Sequence, residues 1–274
     1  MSGFLDDMAR SSAARVLEAK QRESFAELER RALRTTPSAA LRLSPAGFDV
    51  IAELKLRSPA AGRLGDETHD WQGRIAGYAR GGAAAVSVLT EPSRFDGSLE
   101  HLRQASRVLA PLGVPAMRKD FLVDPYQVLE ARAAGAGGVL VILRMLTPER
   151  IAELLDVAAD HRLFVLLEAF DGTDLELARQ LLTTRGREET VLVGINSRDL
   201  QSLEVVQQRF AALAPMLPEG FPCVAESGVA TPSDAQAMRR LGYRLALIGT
   251  ALMSCEDPTS LLAEILNATR TLQA

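Results

Sequence analysis

The feature that most limits the folds open to this chain is a repeat: eight short apolar runs, each separated from the next by a segment with helical spacing. The runs are DVIAELKL (49–56), AAVSVLT (84–90), VPAMRKDF (114–121), GVLVIL (138–143), LFVLLEAF (163–170), VLVGIN (191–196), FPCVAES (221–227) and LALIGT (245–250). Between them lie segments such as DPYQVLEARAAG, TPERIAELLDVAADH and TPSDAQAMRRLG, several of which open with Thr/Asp-Pro and close near Gly, as helices start and stop. Strands joined by crossovers of a dozen or more residues run parallel, and a parallel sheet is covered by helices. Eight units in about 225 residues predict a (β/α)8 barrel, which commonly takes about 250. An open doubly wound sheet is the alternative, but the first strand-to-helix turn lacks G-x-G-x-x-G.

Ahead of the repeat, Leu5, Met8, Val16, Phe25 and Leu28 fall at helical spacing among many charges. They predict one or two amphipathic helices, followed by the proline-bearing connector TTPSAALRLSPAGF. No linker divides the repeat. The expected organisation is therefore one α/β domain over 1–274, a TIM barrel whose residues 1–46 form a helical extension and connector.

Composition narrows the function. Hydrophobic residues make up 47%, charged residues 24%, and the formal charge is -4, so nothing favours a nucleic-acid partner. No run approaches the ~20 apolar residues of a membrane span. The amino terminus mixes acidic and basic residues without an apolar core, unlike a signal peptide, so the cytoplasm is expected. Cys223 and Cys255 lack the paired spacing of a metal site and are expected to be buried thiols. His69, His101 and His161 are scattered, which supports neither a zinc site nor a His-based triad. Catalysis then rests on Lys, Glu, Asn or Arg, with no metal.

In a barrel the chemistry sits at the carboxyl ends of the strands, so polar residues there are the candidates. Glu53 and Lys55 are two apart and face the same side, opposite Leu54 and Leu56. A structural ion pair plugging the barrel would account for those two. It would not account for Lys119, Glu168, Asn196 and Glu226 at the third, fifth, sixth and seventh strand ends. Alternation lets only one of Arg118 and Lys119 face inward, and Lys119 is the one chosen. Glu168 follows FVLL, where a carboxyl needs a hydrogen bond or a raised pKa, unless it is merely a capping or surface acid. Asn196 and Arg198 share a side, and Arg198 either clamps an anion or pairs with Asp199 or Glu204. Ser227-Gly228 and Gly249-Thr250 are small-residue turns after the last two strands, where barrels often bind phosphate.

Taken in order, IAELKLRSP, SVLTEPSRFDGS, RKDFLVDPYQVLEARAAGA, GINSRDL, VAESGV and ALIGTALM resemble the indole-3-glycerol-phosphate synthase family of tryptophan biosynthesis, from about Leu5 to the carboxyl end. Related phosphate-binding barrels share the final glycine turns but not E-x-K-x-x-S-P together with K-D-F and N-x-R-D-L. The resemblance implies closure of 1-(2-carboxyphenylamino)-1-deoxyribulose 5-phosphate to an indole, with loss of carbon dioxide and water and without a cofactor. It implies Glu53, Lys55, Lys119, Glu168, Asn196 and Ser227 as the catalytic set, with Ser58 supporting the loop after the first strand. Phe95 and Phe121 would flank the anthranilate ring over Leu140. Arg198, Glu226, Gly228, Gly249 and Thr250 would contact the substrate, the last three holding its phosphate together with Ser227, and Arg198 sitting near its anionic end.

The chain also departs from the family pattern. SPAAG stands where S-P-S-K-G is common, which puts Ala61 in place of a loop lysine, with Arg63 nearby. GAGGVLVI lacks a frequent acid, Ala-Phe follows Glu168 where Val-His is frequent, and TTRGREET (183–190) looks long for the turn before strand six. Two rivals follow: a paralogue serving a specialised pathway, and a barrel kept as a non-catalytic binding partner. Phosphoribosylanthranilate isomerase, which uses a Cys and Asp pair, finds no suitably placed cysteine here. A monomer is expected, with the helical amino terminus over the barrel mouth, on its side or against a partner.

Overall fold

The eight apolar runs become the eight strands of one closed parallel barrel in a computed structural model that describes residues 3–45, 47–58, 62–63, 70–183, 190–199 and 202–270. They are β1 (Asp49–Leu54), β2 (Ala85–Leu89), β3 (Ala116–Lys119), β4 (Gly138–Ile142), β5 (Phe164–Ala169), β6 (Val191–Asn196), β7 (Cys223–Glu226) and β8 (Leu245–Ile248). Each pairs with the next in the chain, and β8 closes on β1 from Asp49↔Leu245 to Ala52↔Ile248. Except for β6, the strands are shorter than the apolar runs. At β3 the reason is local: Asp120 turns its own carboxylate onto the Phe121 N–H at 2.9 Å, so the chain leaves the ladder at Lys119.

Period-two alternation splits the core into two layers. Ile51, Met117, Leu166, Leu192, Val224 and Leu247 point inward and fill the barrel. Val50, Val86, Val139, Val165, Val193 and Ile248 point outward against the helices. The Thr/Asp-Pro signals work as read: Thr147 Oγ1 accepts from Arg150 N at the start of the helix Pro148–Asp160, and Asp124 accepts from Tyr126 N at Pro125–Ala133. Each satisfies a backbone donor that the first turn leaves free.

Two helices, α1 (Phe4–Arg22) and α2 (Phe25–Arg34), precede the barrel. Leu28 and Ala32 of α2, with Val16 of α1, pack against Tyr126, Leu129 and Ala133 of α3 (Pro125–Ala133). Phe4, Leu5 and Met8 of α1 join the inner core at the barrel's carboxyl end, so the extension covers the mouth. Leu41 and Leu43 of the connector pack on the same inner cluster at the other end, where Ser44 N donates to Asp49 at the start of β1. Two expectations are corrected. Phe25 is 40% exposed although it shares a helical face with Leu28 and Ala32, because it is the first residue of α2, a turn ahead of where that face meets α3. Cys255, just past the short helix Thr250–Ser254, is only half-buried, whereas Cys223 is fully packed.

Arg118 ties these parts together. At 1% exposure, it donates to Thr90 Oγ1 (3.1 Å), the Gln127 carbonyl (2.8 Å), Glu130 (2.9 Å) and Asp120 (3.1 Å). Asp120 in turn accepts both Arg15 guanidinium nitrogens, at 2.8 and 3.0 Å, and so anchors α1 to the end of β3. Burial opposes its charge, but Arg15, Arg118 and Thr90 outweigh that and hold the Asp120 carboxyl far below the usual range. Removing one partner from such a network leaves buried charge uncompensated. Arg118→Met is expected to cost about 3–5 kcal/mol in urea unfolding. Lys20→Ala, at the exposed pair with Asp124, is expected to cost under about 1 kcal/mol.

Candidate active site

The polar strand ends converge on one cavity at the covered mouth. Glu53, Lys55, Lys119, Glu168, Asn196 and Glu226 all line it, together with Ser227, Arg198, Phe95, Phe121 and Leu140. Strand alternation puts four of them there, two residues beyond an inward apolar residue: Ile51 before Glu53, Met117 before Lys119, Leu166 before Glu168, and Val224 before Glu226.

Lys119 is the hub. Its Nζ lies 3.5 Å from Glu226 Oε2 and 4.0 Å from Glu53 Oε2, while Lys55 Nζ holds Glu53 Oε1 at 3.1 Å. Across the cavity the Asn196 amide donates to Glu168 Oε1. Asn196 Oδ1 accepts from Ser227 Oγ at 3.0 Å and from Arg198 N at 2.9 Å, which fixes the amide's orientation. Glu168 is thus held by a hydrogen bond, and at 2% exposure it is no surface acid. Arg198 turns its guanidinium onto the Leu203 carbonyl at 2.6 Å.

These groups set one another's protonation. Burial works against the Lys119 ammonium, but Glu168, Glu226 and Glu53 outweigh it and keep its proton on well above the usual lysine range. Burial likewise opposes ionised Glu53, whose carboxyl Lys55 and Lys119 nevertheless hold below the usual range. Glu226 goes the other way: burial, joined by the neighbouring charge of Glu168, raises it to about 8 against the pull of Lys119. Of the two carboxyls beside Lys119, burial thus makes Glu226 the more readily protonated, although the ammonium lies 3.5 Å from its Oε2. The Cys223 thiol lies in the outer core, pushed up to about 12 by burial, and is no nucleophile.

Above the charges lies an aromatic slot. Phe121 meets Phe4 edge-on at 5.8 Å between ring centres and Phe95 at 6.2 Å, with Leu140 and Ile142 beneath. Phe4, Leu5, Leu89, Asp120, Ile142, Phe170, Leu203 and Leu247 also line the cavity and were not singled out from sequence. Alternation could have found Ile142, Phe170 and Leu247, which lie two residues from Leu140, Glu168 and Gly249. Nothing local could have found Phe4.

The expected phosphate residues divide. Ser227 lines the cavity and, like Gly228, takes a left-handed backbone (φ 66 and 75). Gly228, Gly249 and Thr250 sit just past β7 and β8 and are not part of the cavity wall. Gly249 has a second use: a Cβ there would stand 2.5 Å from Glu53 Oε1, so its bareness admits that carboxylate. Ser58 belongs to a short ladder pairing Arg57–Ser58 with Gly62–Arg63. The Ser58 and Arg63 side chains, His69, Ala61 with the rest of the SPAAG turn, and 184–189 of the long turn lie outside the described residues. Among the described residues no group of His, Cys, Asp and Glu is placed to hold a metal, and no helix is long and apolar enough to cross a membrane.

Comparison with known proteins bears on this arrangement. Residues 5–265 match the family model described as indole-3-glycerol phosphate synthase. Similar proteins include an indole-3-glycerol phosphate synthase of Bordetella pertussis, 37% identical over 271 residues and covering 97% of this chain and 99% of that one. Another, from a Parafrankia species, is 41% identical over 255 residues, covering 92% and 91%. Among solved structures, 3-hexulose-6-phosphate synthase of Salmonella typhimurium matches with a TM-score of 0.61 over 81% of this chain and 98% of that chain, at 10% identity, a likeness of fold alone.

The protonation of Glu226 has a measurable sign. An ordinary glutamate titrates near 4.5, so between that value and about 8 the folded protein keeps a proton that the unfolded chain has lost. The stability this contributes is complete below the unfolded value and is lost as pH rises through about 8. Urea midpoints taken from about pH 5 to 9 are therefore expected to fall more steeply for the wild type than for Glu226→Gln, and parallel profiles would show that Glu226 titrates as an exposed carboxyl does.

Proposed function

The chain belongs to the indole-3-glycerol phosphate synthase family, carboxy-lyases that close 1-(2-carboxyphenylamino)-1-deoxyribulose 5-phosphate to indole-3-glycerol phosphate, and from this we propose that Lys119 is the acid that drives closure here. The observation that carries the assignment is the Lys119 ammonium, held between Glu53 and Glu226 at the base of an apolar, aromatic-walled cavity.

In the first step the ring carbon bearing the carboxylate attacks the ribulose carbonyl, and the carbonyl oxygen gains an electron pair. Lys119 meets that oxygen with a proton in a site of low polarity, where a preoriented charge counts for more than in water. Lys55, tied to Glu53, holds the substrate carboxylate and is available for proton delivery. Loss of carbon dioxide then returns the electron pair to the ring. Elimination of water from the resulting alcohol needs a proton taken and a proton given, and Glu168, steadied by Asn196, is placed to handle them. Glu53 and Asn196 orient the lysines and the substrate hydroxyls. Ser227 orients Asn196 through its hydroxyl and, with Gly228, Gly249 and Thr250, takes the phosphate; Arg198 reinforces the anionic end. Phe4, Phe95 and Phe121 sandwich the anthranilate ring over Leu140.

The same reading makes the protein a cytoplasmic monomer of one folded domain acting on a single phosphorylated small molecule. In its support, Met8, Val16, Leu28 and Ala32 of α1 and α2 are buried on their own barrel, while Leu17, Phe25 and Leu33 stay exposed. Indole fluorescence developing when purified protein meets the carboxyphenylamino-deoxyribulose phosphate tests the reaction. Lys119→Ala is expected to lose about 10²–10⁴-fold in kcat, with the far-UV spectrum unchanged. A folded wild type that yields no indole would turn the reading toward a non-catalytic barrel, and a Lys119→Ala variant of full activity would remove Lys119 from the chemistry.

A further inference from the structure

β6 carries a glycine that its backbone does not require. Gly194 lies inside Val191–Asn196, paired with Glu168 on β5 and Val224 on β7, and it is not among the glycines with positive φ. Glycine weakens a strand interior, and where it persists without a turn or bulge it marks a close approach. The approaching group here is a carboxyl. A Cβ on Gly194 would stand 2.1 Å from Glu226 Oε1 and 3.0 Å from Glu226 Cδ, with Leu166 Cδ1 at 3.1 Å.

Position 194 points into the barrel, between inward Leu192 and cavity-lining Asn196. Glu226 rests in the space a methyl group would fill. Its Oε1 lies there buried and without a hydrogen-bond partner, while its other oxygen is the one 3.5 Å from Lys119 Nζ. Shape locates the carboxyl on one side and the lysine locates it on the other. Building on the assignment of Lys119 as the acid, we propose that Gly194 is a positioning residue whose missing side chain is a socket seating Glu226 Oε1, and that this seat sets Glu226 Oε2 against Lys119.

The atom in the way of an alanine is the tip of a flexible side chain, not backbone. The fold therefore accommodates Gly194→Ala by moving Glu226, which separates a positioning role from a packing one. Gly249 stands in the same relation to Glu53, the other carboxyl beside Lys119. Both carboxyls flanking the lysine thus lean on a bare backbone.

The test is a double-mutant cycle on Gly194→Ala and Glu226→Asp, read by indole formation from the carboxyphenylamino-deoxyribulose phosphate. Aspartate is one methylene shorter and withdraws from the added methyl. Gly194→Ala is expected to lower kcat by up to about 10²-fold, the loss that a displacement of about 1 Å brings, with KM little changed. Glu226→Asp is expected to cost far less in the Gly194→Ala background than alone, or to restore turnover. Where Glu226→Gln lowers kcat, wild-type kcat in Gly194→Ala, or two losses that simply multiply, would overturn the socket. If Gly194→Ala does not fold, recovery of folding on adding Glu226→Asp supports the socket and continued misfolding overturns it. If Glu226→Asp and Glu226→Gln both keep full kcat, it is the dependence of Lys119 on Glu226 that fails. The socket is then judged on the pH profile of unfolding, which Gly194→Ala is expected to shift near pH 8 and which, if unmoved, overturns it.

Discussion

Two adjacent cations on β3 cannot occupy the same side of a pleated strand, and much of the structure follows from how they are divided. Arg118 goes outward, where Thr90, Gln127, Glu130 and Asp120 take up its donors. Lys119 goes inward, where Glu53 and Glu226 face it. The assignment suits the side chains. A planar guanidinium with five donors fits a crowded shell of fixed acceptors, whereas a compact ammonium that can yield a proton fits a cavity. A register slip of one residue would send the ammonium into the helix layer and the guanidinium into the reaction space.

The polar groups at the strand ends were legible in the sequence because one rule, alternation, governs them all. Glu53, Lys119, Glu168 and Glu226 each interrupt an apolar run at a position whose neighbour two residues back is core. What alternation cannot carry is distance between elements. Phe4 reaches the aromatic slot only because α1 lies over the mouth, and the contact that holds it there, Arg15 to Asp120, joins residues 105 apart in the chain. Protonation was equally hidden. That Glu168 would be held by a hydrogen bond while burial raised Glu226 depends on distances between strands, a matter of ångströms and not of spacing. Gly249 read as a turn residue, yet it also makes room for Glu53, since sequence shows where a side chain is missing but not what fills the gap.

Burying this many charges is expensive, and the molecule offsets the cost by pairing nearly every one. Of the buried side-chain atoms left without a hydrogen-bond partner among the described residues, two belong to the carboxyls that flank Lys119, Glu53 Oε2 and Glu226 Oε1. A site optimised for stability would satisfy them. A site optimised for a charge that develops only during reaction holds donors and acceptors ready for atoms not yet present.

The extension before the barrel then has a physical role beyond packing. The loops after β2 and β3 supply two aromatic rings, Phe95 and Phe121, and an open slot between them would leave the lysine in contact with bulk water. Phe4 packs edge-on against Phe121 over that slot, which narrows the access of solvent to Lys119. The tether is Asp120, which binds α1 through Arg15, fixes Arg118, and follows Lys119 directly in the chain. Docking of the helix and the orientation of Lys119 therefore share one buried carboxylate. A loosened α1 would do more than open the mouth, because it would strip Asp120 of one of its two cations at the residue that ends β3 and sets the direction of Lys119.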